Sequence, residues 1–369
     1  MSECDTAIYW PWTAFTEVHR KKDAGGLAEG FAAAGRTPLL LVSKSEAPPP
    51  AGVRLLDCSA GGASDLWVEF RTVVAALQAP SIRQVLVIRG SKRFLLVALF
   101  AGLRRRNPLR PRNRPRQRWT LKLDWDGRTS SVAESLKMAL LLLVSAQLFD
   151  EVVIESSCGL ERIRRWMLGS AKPAFVPDGF SAHQVADPDW TALAKNRIVL
   201  CVARVTPQKG IHVLLEAFAM LAREFPEWRL RIVGPIEDSQ YLDRLVRAAS
   251  SDAIADRVEI TGSITDDQLR AEYRSAAIFC LPSFQESFGI SRVEAAACGL
   301  PVVTSSAGCA RDMEQMGMYV VPIGDAAATR DALRRLMADP ELRRVAGERS
   351  RALVGSWESV ARAFLALPV

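Results

Sequence analysis

The 369-residue chain holds three histidines, His19, His183 and His212. That leaves little room for a His-rich metal site. Its seven cysteines are Cys4, Cys58, Cys158, Cys201, Cys280, Cys298 and Cys309, and no two form a CxxC pair. The number is odd, and most lie in apolar stretches such as Ile278-Phe279-Cys280-Leu281. The pattern argues against a disulfide framework or zinc ribbon and predicts buried, reduced thiols in a cytoplasmic protein. Long apolar runs are also missing. Phe94–Leu103 and Met138–Phe149 are the longest, and both fall short of the ~20 residues a bilayer span needs. The opening residues include Glu3 and Asp5 and lack the basic start and apolar core of a secretory signal. Peripheral membrane association stays open. With 49% hydrophobic and 24% charged residues, disorder is excluded as the dominant state.

What the chain has is an uneven charge. Lys and Arg number 48 against 41 Asp and Glu, a net +7. Nine of those cations fall between Arg104 and Lys122 with no acid among them: Arg104, Arg105, Arg106, Arg110, Arg112, Arg114, Arg116, Arg118 and Lys122. The rest carries 39 basic against 41 acidic residues. A protein coated in positive charge for nucleic acid is therefore not what the net charge describes.

Short apolar runs alternate with longer amphipathic ones. Predicted strands are Thr6–Trp10, Pro38–Val42, Val85–Ile88, Trp119–Asp124 and Glu151–Ile154, then Ile198–Ala203, Leu230–Val233, Val258–Thr261, Ala277–Leu281, Val302–Thr304 and Met318–Val321. Helical patterns such as Ile211–Glu224 and Tyr241–Ser250 fall between them. This alternation predicts an α/β protein with parallel sheets covered by helices. A break follows Val176-Pro177-Asp178-Gly179, where an irregular stretch from Ser181 to Asn196 leads to a fresh strand. Two doubly wound domains follow, and such sheets bind ligands outside the carboxyl ends of their strands.

Two stretches carry candidate chemistry. In Val202-Ala203-Arg204-Val205-Thr206-Pro207-Gln208-Lys209-Gly210 a strand ends and a helix opens. Thr206 suits an N-cap and Pro207 a first helical position. Arg204 and Lys209 beside a helix N-terminus suit a diphosphate; a capped helix with two solvated charges is the plain alternative. The second stretch runs from Pro282 to Ala295 and contains Glu286, Ser287, Phe288, Gly289, Ile290 and Glu294. Gly289 would let a backbone approach a ligand, and the amides of Phe288–Ile290 would face an anion. Both carboxylates could accept bonds from sugar hydroxyls. Alternatively, Ser291-x-x-Glu294 and Ser283-x-x-Glu286 are capping boxes.

Taken with Leu230-Arg231-Ile232-Val233-Gly234, Val258-Glu259-Ile260-Thr261-Gly262-Ser263-Ile264 and Glu294-Ala295-Ala296-Ala297-Cys298-Gly299-Leu300-Pro301-Val302-Val303, these stretches resemble the retaining nucleotide-sugar glycosyltransferases of family four (glycosyl transferases group 1). The resemblance covers about residues 197–321 and rests on five pieces in order, including Glu286 and Glu294 as Glu-x7-Glu. It implies the GT-B fold, two Rossmann-like domains facing across a cleft: an acceptor domain at 1–183, a donor domain at 184–352 and a helix at 353–369 crossing back. It implies that Arg204 and Lys209 hold the donor diphosphate, with Glu286, Ser287 and the Phe288–Ile290 amides on sugar and phosphate. Glu294 would take the ribose, and Gly262, Ser263 and Ile264 the base. The implied reaction is hexosyl transfer to a hydroxyl with retention, with no metal and no cofactor beyond the nucleotide-sugar substrate. One departure is Pro235 after Gly234, where relatives often have a second glycine.

In the first half, Gly25-Gly26 before a helix Leu27–Ala34 resembles the family's first glycine loop, which approaches the donor phosphate. Where many relatives place a His, this strand runs Leu121-Lys122-Leu123-Asp124-Trp125-Asp126-Gly127. Asp124 or Asp126 could take the acceptor hydroxyl's proton; Asp126-Gly127 is equally a strong turn pair.

The arginine tract would connect a helix to a strand, on the sheet edge opposite the ligand. Pro108, Pro111 and Pro115 bar a long helix through it. The expectation is contact with an anionic membrane through Arg104, Arg105, Arg106, Arg110, Arg112, Arg114, Arg116 and Arg118. A solvated loop competes. Nucleic acid is disfavoured, since Trp119 is the only aromatic nearby. Two rivals to the enzyme reading are another GT-B type such as an epimerase, and a degenerate relative that binds anionic surfaces without catalysis.

Overall fold

A computed structural model describes residues 4–10, 14–16, 19–20, 23–59, 66–88, 117–123, 132–166, 171–181, 185, 188, 196–251 and 254–367. The chain divides into two compact units, Met1–Gly179 with Ser356–Val369, and Phe180–Gly355.

The first unit holds β1 (Thr6–Trp10), α1 (Asp23–Ala33), β2 (Pro38–Val42), β3 (Arg54–Asp57), α2 (Leu66–Leu77), β4 (Gln84–Ile88), β5 (Arg118–Leu123), α3 (Val132–Leu148), β6 (Glu151–Ile154), α4 (Ser157–Trp166) and β7 (Lys172–Phe175). The strands form one sheet in the order β3-β2-β1-β4-β5-β6-β7, with parallel pairing throughout. β1, β2 and β4 are buried at every residue. That is what continuous apolar runs become when helices cover both faces of a parallel sheet. The edge strands β3 and β7 are partly exposed.

The second unit holds β8 (Ile198–Val202), α5 (Ile211–Leu221), β9 (Arg229–Val233), α6 (Ser239–Ser251), β10 (Val258–Gly262), α7 (Asp266–Ser275), β11 (Ile278–Leu281), α8 (Ile290–Ala297), β12 (Val302–Ser305), α9 (Ala310–Gln315), β13 (Tyr319–Val321), α10 (Ala326–Ala338) and α11 (Pro340–Leu353). Its parallel sheet is ordered β10-β9-β8-β11-β12-β13. The order reverses between β8 and β11. Connections leave those two strands toward opposite sides, opening a crevice at their carboxyl ends. The α/β fold expected from the alternation is thus present in both units.

α12 (Trp357–Ala366) returns to the first unit and packs on α1. Ser356 caps it, accepting from the Ser359 amide at 3.3 Å. Trp357 and Phe364 are buried, and Phe364 meets Phe31 at 6.2 Å between ring centroids.

Two members of the basic tract prove structural. Arg118, expected at a membrane, instead pairs with the buried Glu151 and donates to the Leu367 carbonyl at 2.7 Å. Strand pairing of β5 with β6 sets Thr120 opposite Glu151, and Arg118, two residues earlier on the same face of β5, reaches the same carboxylate. Lys122 is 2% exposed and lies 3.1 Å from Asp178 and 3.5 Å from Glu155. A cation so buried persists only when paired. Arg104, Arg105, Arg106, Arg110, Arg112, Arg114 and Arg116 lie outside the described residues, as do Phe94–Leu103.

The reduced-thiol expectation holds for Cys4, Cys58, Cys201, Cys280 and Cys298, which are free and buried. Burial pushes Cys201 up to about 12 and Cys280 well above the usual thiol range, which leaves both protonated and unreactive. Cys158 and Cys309 depart from the expectation, since neither is a free thiol. Among the described residues no helix is long and apolar enough to cross a membrane.

Trp357→Ala tests how firmly α12 holds. A buried aromatic deletion costs about 3–5 kcal/mol, so urea unfolding should lose a comparable amount. A loss under about 1 kcal/mol would mean that α12 contributes little to the first unit's core.

Candidate functional site

The site lies where β8 and β11 end. Past Val202 the chain stays alongside the extension of β9: Ala203 donates to the Val233 carbonyl at 2.9 Å and Val205 to the Pro235 carbonyl at 2.8 Å. The backbone at Pro235 is therefore engaged in the sheet's own extension. The pairing sets Arg204 opposite Glu237, with Nη1 2.7 Å from Oε2. The chain then turns through a 3-10 segment, Pro207–Lys209, into Gly210 and α5. Gly210 adopts φ 65° and ψ 22°, and a Cβ there would stand 2.0 Å from the Pro282 carbonyl oxygen. Only glycine meets both demands. Phe284 donates to the Gln208 carbonyl at 2.8 Å, joining the two loops.

That junction brings Lys209 to Glu286. Nζ lies 2.8 Å from Oε2, with side-chain exposures of 14% and 10%. Ser283 Oγ donates to the same oxygen at 3.4 Å. Burial works to raise the Glu286 carboxyl, but Arg292, Lys209 and the bonds from Lys209 and Ser283 outweigh it and hold the group below its ordinary value. The Arg204–Glu237 pair is far more exposed, at 49% and 44%. Such a pair contributes only ~0–1 kcal/mol, so Arg204 can exchange its partner for a ligand phosphate at little cost.

α8 opens at Gly289, whose φ is 81° and which offers no side-chain cap. Its first amides have no acceptor inside the helix and point, with the dipole, out of its N-terminus. Phe288 is buried, while Ser287 is exposed. Glu294 is wholly buried, and its Oε2 accepts from Tyr273 Oη at 3.0 Å. Gly262, Ser263 and Ile264 link β10 to α7, on the same carboxyl edge but beyond β9.

Several expectations need correction. Thr206 does not cap: its hydroxyl is buried without a partner among the described residues, and the α-helix starts only after Gly210. Neither serine capping box forms: no helix starts at Ser283, and Gly289 in a left-handed conformation occupies the cap position of α8, with Ser291 already inside it. Gly25 and Gly26 are not a loop before a helix. They lie in the first turn of α1, and Gly26 packs against the Trp357 indole. Asp124 and Asp126 lie outside the described residues.

The structure adds residues that carried no signal in the sequence. Arg292 is fully buried beneath the Glu286–Gly289 loop, donating from Nη1 to Thr304 Oγ1 at 2.8 Å and from Nη2 to the Phe288 carbonyl at 2.6 Å. His212 stacks on Phe284, ring centroids 5.4 Å apart at 14°, and its Nδ1 lies 2.8 Å from Tyr241 Oη. Burial lowers the His212 value, aided by Arg244 against Glu216, which favours the neutral imidazole.

Comparison with known proteins bears on this second unit above all. Residues 186–353 match the family described as glycosyl transferases group 1. The GDP-mannose-dependent alpha-(1-6)-phosphatidylinositol monomannoside mannosyltransferase of Mycolicibacterium smegmatis is 34% identical over 188 residues, 46% of this chain and 48% of that protein. A D-inositol 3-phosphate glycosyltransferase of Streptomyces bingchenggensis is 32% identical over 200 residues, 49% of this chain and 44% of that protein. The matched region thus spans about half the length of these curated relatives. In fold, sucrose-phosphate synthase from Thermosynechococcus elongatus resembles the chain with a TM-score of 0.71 and 22% identity, covering 99% of this chain and 98% of that one. Anabaena HepE, solved with UDP and glucose, gives 0.70 and 15%, covering 98% of each. These neighbours place the architecture in the GT-B class.

The ionic account of Glu286 predicts a pH signature. A carboxyl whose folded value is depressed contributes stability that is complete above its unfolded value of about 4.3 and is lost as pH falls through the lower folded value. Glu286→Gln should therefore be less stable than the parent at pH 7, and the gap should narrow below about pH 4. Urea unfolding across that range checks it. A gap that ignores pH removes the ionic account.

Proposed function

We propose that this chain, whose residues 186–353 match the glycosyl transferases group 1 family, is a retaining glycosyltransferase moving a hexose from a nucleoside diphosphate sugar to an acceptor hydroxyl. The observation carrying this reading is the Lys209–Glu286 pair at the strand-order reversal, under the open N-terminus of α8. Breaking the anomeric C–O bond leaves its electron pair on the diphosphate. Lys209, Arg204 and the Gly289 and Ile290 amides supply positive charge where that negative charge develops. Glu286 keeps Lys209 in place and lies ready to accept from sugar hydroxyls. Glu294, oriented by Tyr273, is the proposed ribose contact. Retention follows if the acceptor oxygen attacks the face the diphosphate is leaving, its proton passing to the departing phosphate or to Asp124 or Asp126. The proposal requires no metal, because fixed cations and amides stabilise the leaving group.

The test is a thermal-shift screen with UDP-, GDP- and ADP-sugars, including GDP-mannose, named for the Mycolicibacterium smegmatis relative, and UDP-glucose, since the fold neighbour HepE is solved with UDP and glucose. A ligand bound at 100 times its Kd stabilises by about 2.7 kcal/mol, so one donor should raise the melting temperature visibly. Glu294→Ala should abolish that rise with the fold intact, and nucleoside diphosphate should be released only when an acceptor is added. Full turnover in Glu294→Ala would count against the site assignment.

The remaining arginines from Arg104 to Arg116 carry a second proposal, contact with an anionic membrane surface. Sedimentation with anionic vesicles, and not with neutral ones, is the expected result. Equal sedimentation with both sinks it.

A further inference from the structure

Arg292 is the one charged side chain between Glu286 and Glu294 in sequence, and it is fully buried. Two of its three nitrogens are engaged. Nη1 donates to Thr304 Oγ1 at 2.8 Å, and that hydroxyl donates on to the Leu281 carbonyl at 3.0 Å. The guanidinium is thereby anchored to the ends of β11 and β12. Nη2 donates to the Phe288 carbonyl at 2.6 Å. Nε is buried with no acceptor among the described residues. Gly289 covers it so closely that a Cβ there would stand 2.3 Å from Nε.

This arrangement fixes a direction. The chain has no cis peptide among the described residues. In a trans peptide the carbonyl of one residue and the N–H of the next point to opposite sides. With the Phe288 carbonyl drawn inward onto the buried guanidinium, the Gly289 N–H is turned outward. Flipping the peptide would break a charge-assisted bond and strand a buried donor, which is costly. The positive φ of Gly289, 81°, then leads the chain from this peptide into α8.

We propose that Arg292 is a positioning residue: by holding the Phe288 carbonyl it aims the Gly289 amide at the diphosphate of the donor. The inference rests on the donor reading above and adds to it a cation that acts through the backbone rather than by touching the ligand. Its charge also acts on Glu286 in the same direction as Lys209, so one buried arginine serves both the amide and the carboxylate of the site.

The experiment is calorimetric titration of the parent, Arg292→Met and Thr304→Val with UDP, GDP and ADP, each against its nucleoside. The parent should prefer one diphosphate over its nucleoside. Arg292→Met should lose about tenfold in affinity for that diphosphate, the worth of one charge-assisted hydrogen bond, with nucleoside affinity unchanged. Thr304→Val, which removes the hydroxyl that anchors Nη1 and leaves the Gly289 backbone unchanged, should show a selective loss in the same direction, and it carries the test should Arg292→Met not fold. Parent-like diphosphate affinity in the folded variants overturns the proposal. So does an equal loss for diphosphate and nucleoside, which marks a role in the fold alone. A parent that binds none of the three diphosphates overturns the donor reading itself, and is told apart because the variants then have nothing to lose.

Discussion

A Cβ at residue 210 would stand 2.0 Å from the Pro282 carbonyl oxygen. Two loop backbones touch there, and the Lys209–Glu286 ion pair is built on that contact. The loop after β8 and the loop after β11 belong to strands that are neighbours only because the sheet reverses its order between them. Once they meet, the Phe284 amide closes on Gln208, and Lys209 and Glu286 are left 2.8 Å apart. The pair is 77 residues apart in sequence, so holding it requires a large loop-closure entropy. The sheet and the glycine contact meet that cost as part of folding. The ion pair itself needs no further ordering.

Buried cations show how the two units treat charge differently. In the first unit Lys122 is buried against two carboxylates, Glu155 and Asp178. That is a closed arrangement in which the charge serves the ends of β5, β6 and β7. Arg292 in the second unit is just as buried, yet its direct partners are a hydroxyl and a carbonyl, both neutral. Burial draws its value down, opposed by the Glu286 charge. A full positive charge held on neutral acceptors is expensive in a packed interior. It makes physical sense where an anion is expected to arrive, and the N-terminus of α8 lies one turn away.

The sequence was read well where packing follows period and poorly where one residue decides a conformation. Strands buried on both faces, such as Pro38–Val42, announce themselves as apolar runs. The two missed strands, Arg54–Asp57 and Lys172–Phe175, are sheet edges with partly exposed residues, and an edge strand needs no such run. Thr206, Ser283 and Ser291 all fitted helix-cap patterns. The glycines at 210 and 289 took the cap positions because the neighbouring loops demanded left-handed backbone there. Arg118 and Lys122 looked like the end of a basic tract, since charge in a sequence carries no record of the acid that tertiary pairing will set beside it.

The Glu286 and Glu294 spacing was legible for a further physical reason. Seven residues separate them, and one carboxylate sits in the loop while the other sits in the first turns of α8. The partners that orient the two carboxylates obey no such count. Lys209 comes from the loop after β8 and Tyr273 from α7, while Thr304, which anchors Arg292, comes from β12. Each arrives through the sheet and not along the chain. Spacing along the sequence therefore exposes the two carboxylates, and only the fold exposes the groups that orient them.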